Sequence, residues 1–131
     1  MKSAPLSLLL CFLVLFGTSA RSSDGRFDGK WRLDLTYSRA ASSDRRCSGH
    51  LLADPMTISN GKLSGLLNHS TRGTCFMRGA VDSNGVLKDA ECHSARAFTL
   101  AGRIDGNAGT GTWWDSDTDT CDGRWTAKKI K

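Results

Sequence analysis

The chain has 131 residues, 18 of them basic and 13 acidic, for a formal net charge of +5. That length suits one domain with a modest core. The basic residues are scattered, with only Arg45-Arg46 and Lys128-Lys129 adjacent, which argues for a solvated surface and against the clustered stripe of a nucleic-acid binder. The absence of a Cys-x-x-Cys pair or Cys/His cluster argues against a structural metal site, and no cofactor motif is present.

Residues 1–20 read as a secretory signal. Lys2 is the positive start, Leu6 to Phe16 is an apolar run too short to span a bilayer, and Thr18-Ser19-Ala20 supplies the small residues before cleavage. No stop-transfer pattern follows, so no integral membrane segment is expected. Cys11 leaves with the signal. The even set Cys47, Cys75, Cys92 and Cys121 then implies two disulfides and an oxidising compartment, secreted or periplasmic. Residues 21–26 are polar and predict a flexible N-terminus, and 27–131 a single domain.

From residue 27 onward, turn signals recur about every ten residues, the spacing of an all-β domain. Trp31, Leu33, Leu35 and Tyr37 alternate with Arg32, Asp34 and Thr36 in a first strand over 30–37. Pro55 starts a second, where its missing N–H costs least. Asn60-Gly61 and Asn84-Gly85 each sit between strand-like runs and predict type I′ hairpins, and 105–109 predicts a longer connection. The reading yields about eight strands, roughly 30–37, 55–59, 62–68, 75–82, 85–91, 95–104, 109–115 and 121–129. No helical periodicity follows the signal.

Eight short antiparallel strands make an up-and-down barrel or, alternatively, a β-sandwich. Closure removes sheet edges and favours the barrel. The Gly-x-Trp step recurs at Gly29-Lys30-Trp31, Gly111-Thr112-Trp113 and Gly123-Arg124-Trp125, and its presence at both ends predicts that first and last strands meet. Cys47 and Cys121 then fall at one end of the barrel. Cys75 and Cys92 flank the Asn84-Gly85 hairpin almost symmetrically. The expected bridges are Cys47–Cys121 and Cys75–Cys92.

Candidate chemistry is sparse. Trp113 and Trp114 are adjacent, so on a strand they face opposite sides, and one must point outward, where a ring stacks on a sugar or another flat group. Alternate carboxylates in Asp115-Ser116-Asp117-Thr118-Asp119-Thr120-Cys121-Asp122 have the look of a calcium loop, but the EF-hand Gly and Glu positions are missing and a solvated hairpin tip is the expectation. Glu91 and His93 share a strand face as a base and its orienter, without an accompanying hydrolase motif. Asn68-His69-Ser70 is an N-glycosylation sequon.

Gly29-Lys30-Trp31 on a first strand resembles the Gly-x-Trp signature of the calycin barrels, the lipocalins and avidins. The resemblance implies that Trp31 plugs one end of the barrel and that a basic residue of the last strand, here Arg124, packs over it. Gly29 to Leu35 followed by Met56-Thr57-Ile58 is avidin-like, although the rest of an avidin's biotin-binding set has no clear match in order. A longer resemblance is to small secreted bacterial proteins of uncharacterised function. It rests on Phe27-Asp28-Gly29-Lys30-Trp31, Ile58-Ser59-Asn60-Gly61, Gly109-Thr110-Gly111-Thr112-Trp113 and Cys121-Asp122-Gly123-Arg124-Trp125-Thr126-Ala127. It implies secretion and carries no activity.

The expectation is therefore a monomeric, non-enzymatic secreted binding protein for a small apolar molecule, a glycan or a protein. Trp31, Trp113, Trp114 and Arg124 are its candidate ligand contacts. The alternative is an inhibitor or effector of another protein, and a small hydrolase ranks below both.

Overall fold

The computed structural model describes residues 25–44, 47, 51–53, 55–69, 73–92, 98–115 and 121–131. Along the chain these form β1 (Gly29–Tyr37), α1 (Arg39–Ser42), β2 (Leu51–Ala53), β3 (Met56–Ser59), β4 (Lys62–His69), β5 (Gly73–Val81), β6 (Leu87–Cys92), β7 (Phe98–Asp105), β8 (Ala108–Asp115) and β9 (Asp122–Lys129). All pairings are antiparallel. β2 and β3 are two pieces of one stave, for both pair with β4, and five residues from Ala53 to Thr57 oppose only four from Leu67 to Ser64. Pro55, which cannot donate to a ladder, sits in that one-residue bulge.

The staves follow chain order, and β4 also pairs with β5 while β9 pairs back with β1. The result is a closed eight-stranded up-and-down barrel rather than a sandwich. The seam runs over seven positions, from Trp31 opposite Lys129 to Tyr37 opposite Gly123, so the first and last strands meet as the repeated Gly-x-Trp step predicts. Alternation sends Trp31, Leu33, Ile58, Leu63, Met77, Leu100, Ile104, Trp113 and Trp125 inward, all buried. The apolar void left among them measures about 20 Å³, room for about one water.

The two ends of the barrel differ. At one end the strands are joined by tight hairpins. Asn60 and Gly61 take φ of 51° and 73°, the paired positive values of a type I′ turn. Asp28 braces this hairpin, its carboxylate accepting from Asn60 N (3.0 Å) and Gly61 N (3.4 Å). The second hairpin is not the expected type I′. Only Gly85 has positive φ, and the Asp82 carboxylate accepts from Asn84 N and Val86 N at 2.9 Å each. Those bonds favour a three-residue loop closed by Gly85 in the left-handed region. The third connection is shorter than expected. Asp105 opposes Ala108 directly, leaving Gly106 and Asn107 as a two-residue turn, with positive φ at Gly106 alone, as type II′ requires.

The opposite end holds the strand ends at Tyr37, His69, Gly73, Cys92, Phe98, Asp115 and Asp122 and both disulfides. Cys47–Cys121 and Cys75–Cys92 have Cα separations of 5.4 and 5.6 Å, confirming both expected bridges. The short helix α1, absent from the sequence reading, also lies here. Ser38 caps it, its hydroxyl accepting from Ala41 N at 3.1 Å. Residues 1–20, the expected signal, lie outside the described residues. Among the described residues no helix is long and apolar enough to cross a membrane.

Candidate functional site

The Gly-x-Trp steps of β8 and β9 interlock. In the β8–β9 register Gly111 opposes Trp125 and Trp113 opposes Gly123. Each indole crosses the bare glycine of the neighbouring strand and reaches the strand beyond. Trp113 Nε1 donates to Thr36 O on β1 (3.0 Å), and Trp125 Nε1 donates to Ala101 O on β7 (3.0 Å). A Cβ on Gly123 would lie 1.7 Å from Thr36 O, and one on Gly111 1.9 Å from Ala101 O. The two-residue spacing of Gly and Trp is thus what lets two antiparallel strands exchange rings. Trp113 also stacks on Phe98 (centroids 5.0 Å) and meets the edge of Tyr37 (5.3 Å). Four strands are thereby locked together.

On this rigid base lies an open hollow of about 570 Å³ between β1, β8 and β9, within the size range of small-ligand sites, ~300–1,000 Å³. Trp113 is 2 % exposed and belongs to the core, whereas Trp114, facing the other way, is 40 % exposed. Arg124 stands on the outer face, opposite both Thr36 and Thr112 in the ladders. Asp122 opposes Trp114 and accepts a hydrogen bond from the Ser38 hydroxyl, which ties the rim to the cap of α1. Cys121, next in the chain, anchors the rim covalently through Cys47. The assembled surface is one aromatic ring among a guanidinium, a carboxylate and hydroxyls.

Three of the four candidate contacts, Trp113, Trp114 and Arg124, come together here. Trp31 does not. It is buried at the hairpin end, donating from Nε1 to Phe27 O (2.9 Å). The expectation that Arg124 packs over Trp31 is corrected by the register, which places Arg124 opposite Thr36. The basic residue over Trp31 is Lys129, its Nζ 6.0 Å from the ring centroid. Thr36, Thr112 and Asp122 join the site through the ladder pairing, which no sequence pattern shows. Strand alternation alone does place Thr36 on the outer face.

The acidic run does not form a cation site among its described members. Asp115 points inward and is buried, while Asp122 faces outward, and Asp117 and Asp119 lie outside the described residues. Among the described residues no group of three or more His, Cys, Asp or Glu side chains is placed to hold a metal. Glu91 opposes Arg78 on β5, and its expected partner His93 lies outside the described residues, as does Ser70 of the sequon. No protein-family model, curated protein or solved structure matches the chain.

Proposed function

We propose that the chain is a secreted or periplasmic, non-enzymatic binding protein that holds a saccharide unit of a glycan in the hollow at its loop end. The observation that carries this reading is the contrast between the two spaces, a small apolar interior void of about 20 Å³ and an open hollow of about 570 Å³ beside the half-exposed Trp114. A ligand inside the barrel would have to displace core tryptophans. At the hollow, the Trp114 ring offers a face for a sugar ring, and Asp122, Arg124 and Thr112 offer acceptors and donors for its hydroxyls. Two disulfides in a small domain fit an oxidising compartment.

Titration calorimetry of the oxidised protein against a panel of oligosaccharides tests this. Trp114→Ala should weaken the best binder at least tenfold and leave the fold intact. Undiminished binding in that variant would remove the hollow from the account. A second reading, an inhibitor of another secreted protein, draws support from Leu66 and Phe76, an exposed cross-strand pair on β4 and β5 at the same end. It predicts a stable complex that Phe76→Ser weakens.

A further inference from the structure

On the outer face of the seam, Arg32 and Lys128 stand directly opposite one another. Cross-strand partners on one face lie about 4.5–5.5 Å apart at Cβ, and like charges there are destabilising. Elsewhere in the ladders opposite charges meet, as where Arg78 stands opposite Glu91. Lys30 follows on the same face of β1, about 7 Å along the strand, opposite Thr57 on β3. All three cations are exposed, and among the described residues none is held in an ion pair. The nearest outward carboxylates in the ladders are Asp34, opposite Thr126, and Asp105, two strands away from Lys128 beyond Ala108. Scattered in sequence, these cations form a line only when β9 closes on β1. Along β9 the line passes Thr126, with the Asp34 carboxylate opposite it, before reaching Arg124 in the hollow, about 13 Å from Lys128.

We infer that the glycan is acidic, and that its carboxylate or sulfate groups lie along the β1–β9 seam against Arg32, Lys128 and Lys30 while one sugar occupies the hollow at Trp114. The inference rests on the saccharide reading above and adds the ligand's charge and direction. The geometry accounts for an energetically unfavourable pair. An anionic group placed between Arg32 and Lys128 turns their mutual repulsion into two charge-assisted contacts. A chain molecule with repeating anionic groups engages the line in the way a polyelectrolyte does, releasing counterions and making affinity salt-dependent.

The test titrates the oxidised protein with oligogalacturonate, with the same oligomer fully methyl-esterified and therefore neutral, and with a sulfated heparin-derived hexasaccharide. At low salt at least one acidic probe should bind at least tenfold tighter than the neutral oligomer. Arg32→Gln/Lys128→Gln should abolish that advantage, flatten the salt dependence by about 1.4–1.8 log units per log unit of salt, and leave neutral binding unchanged. Its melting temperature should not fall, which separates lost recognition from lost folding. Equal affinity for charged and neutral probes, or an advantage that survives the double variant, overturns the inference and leaves the hollow reading standing. If Trp114→Ala weakens neither kind of probe while the double variant still abolishes the charge advantage, the hollow reading fails and the acidic preference of the seam holds. Binding of DNA or anionic phospholipid vesicles through Arg32 and Lys128, with no oligosaccharide bound, overturns the inference in favour of a different polyanion. No binding of any probe overturns it outright.

Discussion

Replacing Gly123 by alanine strikes at the exchange of tryptophan rings between β8 and β9. The new Cβ would fall 1.7 Å from Thr36 O and 2.7 Å from Trp113 Nε1, where ordinary contact begins at 3.4 Å. Neither neighbour can yield cheaply. One is ladder backbone, and the other is an indole fixed by its 3.0 Å bond to that same carbonyl. Either β9 parts from β1 or Trp113 leaves its seat. Overpacking of this kind costs about 1–3 kcal/mol, and a buried indole N–H without its acceptor adds about 1–3 kcal/mol. The expected loss of about 2–6 kcal/mol is a large part of the ~5–15 kcal/mol that holds a domain together, and lowers the melting temperature by roughly 8–30 °C. Urea unfolding of the oxidised protein, followed by tryptophan fluorescence and far-ultraviolet dichroism, measures it. Gly73→Ala is the control. Its Cβ meets nothing within 4 Å, but its φ is +89°, so it carries left-handed strain alone, about 1–2 kcal/mol. A Gly123→Ala loss no larger than that of Gly73→Ala would refute the reasoning.

Three other outcomes are expected. The disulfides span 74 and 17 residues, so chain entropy predicts that Cys47→Ala/Cys121→Ala costs about 4.4 kcal/mol and Cys75→Ala/Cys92→Ala about 3.1 kcal/mol; urea midpoints in the reverse order contradict this. Asp28→Ala removes the acceptor for two hairpin amides and should cost about 1 kcal/mol, with faster amide exchange at Asn60 and Gly61. Arg32→Glu replaces the like pair across the seam with an opposite one and should stabilise by about 0.2–1 kcal/mol; the gain should shrink in high salt, and a destabilised variant would mean that Arg32 and Lys128 do not repel.

Much of this architecture is legible in the sequence because strand signals are local. Period-two alternation in 30–37 and the flanking turn residues mark the staves, and the even cysteine set with its symmetric placement marks the bridges. What escapes is set by register and by single side chains. Arg124 and Lys129 are both basic and both on the last strand, and only the pairing of Trp31 with Lys129 decides which packs over the ring. Asn84-Gly85 carries the composition of a type I′ turn, but two bonds to the Asp82 carboxylate select a different loop. Four residues of α1 are too few for helical periodicity to register, and Pro55, read as a strand start, hides the continuation of its stave into β2. Within the site, Trp114 and Arg124 are visible as residue types. The Thr36 and Thr112 hydroxyls beside them, and the facing of Arg32 onto Lys128, exist only once three strands are laid in register.

The seam between β1 and β9 also governs how the barrel comes into being. Every other ladder joins staves consecutive along the chain and can form from a hairpin, whereas the seam joins residues from opposite ends of the domain. Its closure must overcome the entropy of the whole intervening loop, which places this chain among the slower folders of its size. The Cys47–Cys121 bridge crosses the same gap, so oxidation in the native order holds the ends together before the ladder zips. A bridge from Cys47 to Cys75 or Cys92 instead would hold β1 and β9 apart. Both would then remain open sheet edges, each able to pair with another copy. Misoxidised chains should therefore be lost to intermolecular sheet formation, more than to a loose monomer.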